Sequence, residues 1–370
     1  MIEISRYEVQ GGVSEYHVMI HVDNPRLAYA EQVKSVLSAY TQLLEGELKG
    51  AVTVLKRFFL SDAANQSDYL QTLLVEQEAC PLSIVEQSPL NGTKIALWAY
   101  LQKGVELKAL SHGMYEVKHG AYRHLWMAGA CHETSDAEAQ TRQLFDDYIT
   151  LLREQGCTLA ENCLRTWFFV QNVDVNYAGV VKARNEVFAT QNLTNQTHFI
   201  ASTGIAGRHA NHQVSVLMDV YAVQGIRQEQ IRYLYAPTHL NPTYEYGVSF
   251  ERGTAVDYGD RRQVFISGTA SINNKGEVVH PGDICKQTLR MWENVEVLLA
   301  EAECTFEHVS HLIVYLRDVA DYIVVKEMFD ERFPNIPKVY LLAPVCRPGW
   351  LIEMECMAVK TIHNERFPAY

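Results

Sequence analysis

At 370 residues, with 48% hydrophobic and 21% charged residues, the chain has the composition of an ordinary globular protein, with room for two or three domains and a sizeable core. Its formal net charge of -12 comes without any cluster of Lys and Arg, which excludes a nucleic-acid surface and leaves an anionic small molecule only where a few cations converge. The eight cysteines show no CxxC spacing, the start MIEISRYEVQ has neither a basic segment nor an apolar core for export, and no apolar run approaches the roughly 20 residues that span a bilayer. Free thiols in a reducing cytoplasm are therefore expected.

Taken in order, residues 16–22 read as a strand, 27–44 as an amphipathic helix, 51–60 as a strand and 67–75 as a helix, with short strands ending near 98–101. The same succession recurs as strand 121–128, helix 135–155, strand 164–170, helix 176–190 and a closing strand pair within 198–223. A third round follows as strand 263–272, helix 282–303, strand 309–316, helix 320–333 and closing strands within 337–359. Residue matches support the repeat. LLREQGCTLAENCL (151–164) stands against LLAEAECTFEHVSHL (298–312), and Tyr177 and Tyr322 keep the same separation as Phe188 and Phe333. The first copy matches less well, with RFFLSDAANQSDYL (57–70) as its best segment. The expected division is 1–103, 104–224 and 262–370 as three α+β units, each a mixed sheet with two helices on one face. Residues 225–261 would be an aromatic connecting loop of the kind that carries function.

The closing stretch holds the strongest chemical signal. In Trp350-Leu351-Ile352-Glu353-Met354-Glu355-Cys356-Met357, alternation puts Leu351, Glu353 and Glu355 on one strand face. A carboxyl desolvated there has a raised pKa and becomes a proton donor near neutral pH, whereas one at a wet edge or beside an arginine is merely structural. Periodicity leaves both glutamates open for the role. Other candidates are weaker. His209 and His212 have no Cys or acidic partner nearby in sequence, Gly204 and Gly207 lack a strand-turn-helix context and read as turn residues, and Cys346 has no adjacent base.

The SGTASI strand (267–272), the GVSF segment (247–250), Lys182-Ala183-Arg184 and the ending from Cys346-Arg347 to Glu353 together resemble the RidA (YjgF) superfamily, and within it the chorismatases. That resemblance implies chorismate-mutase-like units closing into an intramolecular pseudo-trimer. It also implies hydrolysis of the enolpyruvyl ether of chorismate or a related cyclic carboxylate, with release of pyruvate and without metal or cofactor. By motif position it makes Glu353 the catalytic acid, Arg184 a carboxylate-binding residue, Gly268 the small residue facing the substrate and Cys346 a lining of the ring pocket. Tyr246 is a looser match. Arg347, and Lys338 near the place where small RidA proteins hold a substrate carboxylate with arginine, complete the substrate-binding set. Aligning Ala222-Val223 with Ala358-Val359 sets Glu353 opposite Leu217, and residues 93–97 of the first copy hold no acid. One site, between the second and third copies of a monomer or dimer, is expected to bind a small anionic carboxylate. Enamine or imine deamination and non-catalytic metabolite binding are the other readings.

Overall fold

The computed structural model describes residues 1–75, 79–134 and 136–370. Among the described residues three sheets form, and in each a run of four neighbouring strands follows one pattern. In the third they run Arg261–Ala270, Ile352–Thr361, Val309–Leu316, Lys338–Leu342, with all neighbours antiparallel except the last, parallel pair. The second sheet repeats this as Tyr122–Cys131, Val216–Gln224, Cys163–Val170, Ala201–Ala206, and the first as Ser14–His21, Ile95–Lys103, Val52–Leu60, Leu82–Glu86. The parallel pairs are what the sequence requires, because each is bridged by a helix: Ala63–Leu74, Val173–Thr190 and Tyr322–Arg332. The chain is thus an α+β pseudo-trimer within one polypeptide.

Two of the long helices start where a side chain can accept a free amide. Asp136 and Asp283 accept from the backbone N–H of Ala139 and Lys286, opening helices Ala137–Glu154 and Ile284–Glu301. In the latter, Thr288, Met291, Val295, Leu298 and Leu299 recur at three- and four-residue intervals and form the buried stripe against the sheet.

Two expectations are corrected. Residues 225–261 are no simple loop: Ile231–Leu234 and Gly253–Asp257 extend the third sheet, the second of them as a hairpin with Arg261–Ala270. Met114–His119 and Ile2–Tyr7 do the same for the other sheets, so every unit opens with a hairpin. These strands are four to six residues long, too short for alternation to stand out from turn residues around them. Gly204 and Gly207 are not in a turn either. Gly204 lies within strand Ala201–Ala206, where a Cβ would stand 2.6 Å from the Tyr177 ring.

Two of the bulges in the sheets bear on the site. Along Arg261–Ala270 and Ile352–Thr361 the register slips between Ile266 and Thr269, so Ser267 and Gly268 together oppose Glu355. In the second unit the slip sets Ala128 and Gly129 against Asp219. Gly268 matches Gly129, and Glu355 matches Asp219.

Candidate active site

A cleft with an empty volume of about 510 Å³, counted out to its open mouth, lies between the second and third units. Helix Val173–Thr190 supplies Tyr177 and Arg184, while the third unit supplies Gly268, Cys346, Arg347, Trp350 and Glu353. The segment before strand Gly253–Asp257 adds Tyr246, Phe250 and Arg252.

Glu353 sits inside its strand, paired with Ala270 on one side and Tyr315 on the other, and is 5% exposed. Burial pushes its pKa up to about 8, the charge of Glu355 adds to the rise, and Arg165 and Arg252 oppose it. At neutral pH this carboxyl holds a proton. Gly268 lies directly against it: a Cβ there would overlap Oε1 and stand 2.8 Å from the carboxyl carbon. The glycine therefore makes room for the acid as well as for a ligand.

Glu355 has the same strand face and the opposite environment. It accepts from Arg165 Nη2 at 2.7 Å, from Trp167 Nε1 at 3.0 Å and from the Thr203 hydroxyl, with Arg57 Nη1 3.8 Å away. A carboxylate so surrounded has its oxygens engaged and no open side for a substrate. Of the two glutamates that alternation left open, only Glu353 lines the cleft.

Arg184 is 1% exposed, and among the described residues neither its Nε nor its Nη2 has a hydrogen-bond partner. A buried guanidinium with free N–H groups at a cleft wall is a ready fork for a carboxylate, since leaving such donors unmade is costly. Arg252, which the sequence reading missed, is buried beside it and donates to the Asn241 backbone oxygen at 2.9 Å and side-chain oxygen at 3.1 Å. Its guanidinium lies 5.4 Å from the centres of both the Tyr246 and Phe250 rings. Arg347 stacks on Tyr246 at 4.6 Å and Trp350 at 5.1 Å. Three arginines and four aromatic rings thus face one protonated carboxyl. Arg252, Tyr177 and Trp350 carried no motif, and the only available signal was a lone arginine closing an aromatic-rich segment.

Cys346 lines the cleft, and burial followed by the charge of Glu353 pushes its thiol up to about 12, so it is no thiolate nucleophile. Lys338 is a correction. Its backbone N–H donates to Glu3 and its carbonyl accepts from His21, while its ammonium donates to the carbonyls of Phe333 and Ile336. It borders a separate cavity between the third and first units, because it starts the strand Lys338–Leu342 at the edge facing the first sheet.

Residues 253–360 match the Endoribonuclease L-PSP family. A RutC family protein of Pyrococcus abyssi is 35% identical over 100 residues, 26% of this chain and 78% of the relative. The chain belongs to the RidA/L-PSP family. Among members of known name, the 3-aminoacrylate deaminase RutC of Acinetobacter baylyi is 31% identical over 97 residues, 26% of this chain and 77% of its own. The 3-hydroxybenzoate synthase of Streptomyces hygroscopicus is 27% identical over 256 residues, 63% of this chain and 73% of that protein. A crystal structure of a chorismatase superposes with a TM-score of 0.67 at 18% identity, covering 93% of this chain and 98% of the other. The three-unit arrangement is therefore shared along nearly the whole chain.

Proposed function

We propose that this protein cleaves the enolpyruvyl ether of chorismate, or of a closely related cyclic carboxylate, and releases pyruvate, with Glu353 as the general acid. The observation that carries this reading is the buried Glu353 carboxyl, its pKa raised by burial, in the same cleft as Arg184, whose Nε and Nη2 have no hydrogen-bond partner among the described residues. The likeness to a 3-hydroxybenzoate synthase and to a chorismatase fold supports the choice of substrate.

The chemistry asks for little else. Arg184 and Arg252 would each take a carboxylate, and the rings of Tyr246, Phe250 and Trp350 would cover the carbocycle. Glu353 transfers its proton to the terminal vinyl carbon, which becomes a methyl group and leaves an oxocarbenium centre at the ether carbon. Water adds to that centre and returns a proton to Glu353. The hemiketal then breaks its bond to the ring oxygen, giving pyruvate and a dihydroxycyclohexadiene carboxylate. Further loss of water from the ring would give a hydroxybenzoate, the product class in the name of the Streptomyces relative.

The deaminase reading finds less support, since Lys338, expected near the carboxylate-holding position, lies outside the cleft. Incubation with chorismate and a coupled pyruvate assay is the test, with the ring product identified by chromatography. No pyruvate from the folded protein would reject the proposal.

A further inference from the structure

At the pseudo-threefold centre four ionic side chains, one or two from each unit, form a buried cluster. Arg57 of the first unit donates to Asp219 of the second at 2.7 Å and 3.2 Å, and its remaining nitrogen faces Glu355 of the third at 3.8 Å. Arg165 of the second unit pairs with Glu355 at 2.7 Å. All four are at most 2% exposed, and the two arginines stack on Trp167 at 5.1 Å and 4.6 Å. Two positive and two negative charges balance.

The cluster touches the site through the bulge. Asp219 accepts the amide of Gly129 directly, at 2.7 Å. At the matching place in the third unit the amide of Gly268 donates to Thr203 Oγ1 at 2.9 Å, and the Thr203 hydroxyl donates on to Glu355. Gly268 is the residue packed against the Glu353 carboxyl. Glu355 is therefore tied to Glu353 twice, by the backbone it helps to hold and by its charge, two residues away on the same strand face.

We propose that Glu355 is a positioning residue: held in ion pairs by a cluster that all three units supply, it anchors the Gly268 bulge against the Glu353 carboxyl and sets that carboxyl's electrostatic surroundings. The first unit has no acid at the place of Glu353 and lines no part of this cleft, yet Arg57 makes it a contributor to the acid's environment. Besides Glu355, the charged and titratable groups facing Glu353 are Tyr315 on the neighbouring strand, Arg165 and Arg252, Tyr177 and Arg184 on the helix, and Tyr246, Cys346 and Arg347. None but Glu355 adds a negative charge at neutral pH, so the like-charge effect on Glu353 has a single source.

The proposal rests on Glu353 being the acid of the reaction, but its test is read without substrate. Protein labelled with carboxyl-13C glutamate is titrated by NMR, with Glu353 assigned from the resonance missing in Glu353→Gln. Glu355→Gln should lower the Glu353 midpoint by about one pH unit or more, since a like charge is removed and two guanidiniums remain. Glu355→Asp, which restores the charge, should bring the midpoint back. The alkaline limb of pyruvate release should move with the midpoint. Should Glu355→Gln fail to fold with its arginines unpaired, the double exchange Arg165→Met, Glu355→Gln removes the ion pair together, and its Glu353 midpoint should lie below that of Arg165→Met, which loses the opposing cation alone. An unmoved Glu353 midpoint in either comparison of folded proteins overturns the proposal. Absence of pyruvate release with a shifted midpoint rejects the reaction and leaves the positioning role standing.

Discussion

Gly268 and Glu353 occupy one another's space: the carboxyl of Glu353 fills the volume that any side chain at Gly268 would take. The φ of Gly268 is unremarkable, so it is close approach rather than backbone conformation that requires glycine here. Gly268→Ala should fold, because the Glu353 side chain can swing toward the cleft, at a cost of about 1–3 kcal/mol for the crowding. Pyruvate release should fall at least tenfold, since a displaced acid no longer meets the vinyl carbon. Steady-state kinetics beside chemical denaturation check both halves; a stable, fully active Gly268→Ala protein would contradict the assigned geometry.

Glu353→Gln removes the proposed proton donor while keeping the shape, and the rate should drop on the order of a hundred- to ten-thousand-fold. With Glu353 as the proposed donor the active form is the protonated one, so activity should hold below pH 8 and fall as pH rises through about 8. Stability has its own sign. The folded chain keeps a proton on Glu353 that the unfolded chain releases near 4.5, so this group's contribution is fully present below that pH and is lost as pH rises to about 8. The glutamine variant escapes that loss and should be more stable than wild type at pH 8 by about 2–5 kcal/mol. Urea unfolding at pH 4 and pH 8 measures the difference, which should nearly vanish at the lower pH, below the unfolded group's 4.5.

Arg184→Ala should weaken ligand binding by about 2–5 kcal/mol, the range for losing one partner of a buried charge pair. Without ligand the substitution removes unpaired buried donors, so it should leave the melting temperature unchanged or raise it. Calorimetric titration with chorismate on the Glu353→Gln background reads affinity and stoichiometry together. One ligand per chain is expected, and unchanged affinity would remove Arg184 from the site.

Arg57→Met leaves Asp219 with the Gly129 amide as its remaining donor and Glu355 with one arginine fewer. Stranding a buried charge costs about 3–5 kcal/mol. Because Arg57 joins the first unit to the other two, the loss should show as a single cooperative transition at lower denaturant; a separate early transition of the first unit alone would mean that the cluster does not couple the units.

Much of this was legible in the residues. The repeat, the order of strands and helices and the single acid-bearing copy follow from periodicity and from two matched segments, since each copy must bury the same apolar faces. The hairpin strands within 225–261 escaped because strands of four and five residues carry too little alternation. Lys338 was misplaced for a different reason: nearness in sequence to the carboxylate-holding position of small RidA proteins says nothing about which neighbouring sheet a strand start will face. Arg252 carries no motif at all, and only the packing of its segment brings it to the cleft.

The choice between Glu353 and Glu355 marks the boundary most sharply. The sequence by itself determined that two carboxyls lie on one face of one strand, because alternation is a property of the strand alone. Which of them keeps its proton was decided by Arg57, Arg165, Trp167 and Thr203, residues of the other two units that crowd Glu355 and leave Glu353 to the cleft. Electrostatic energy depends on distance through space and on burial, not on separation along the chain, so the division of roles within the pair arises only when the three units close.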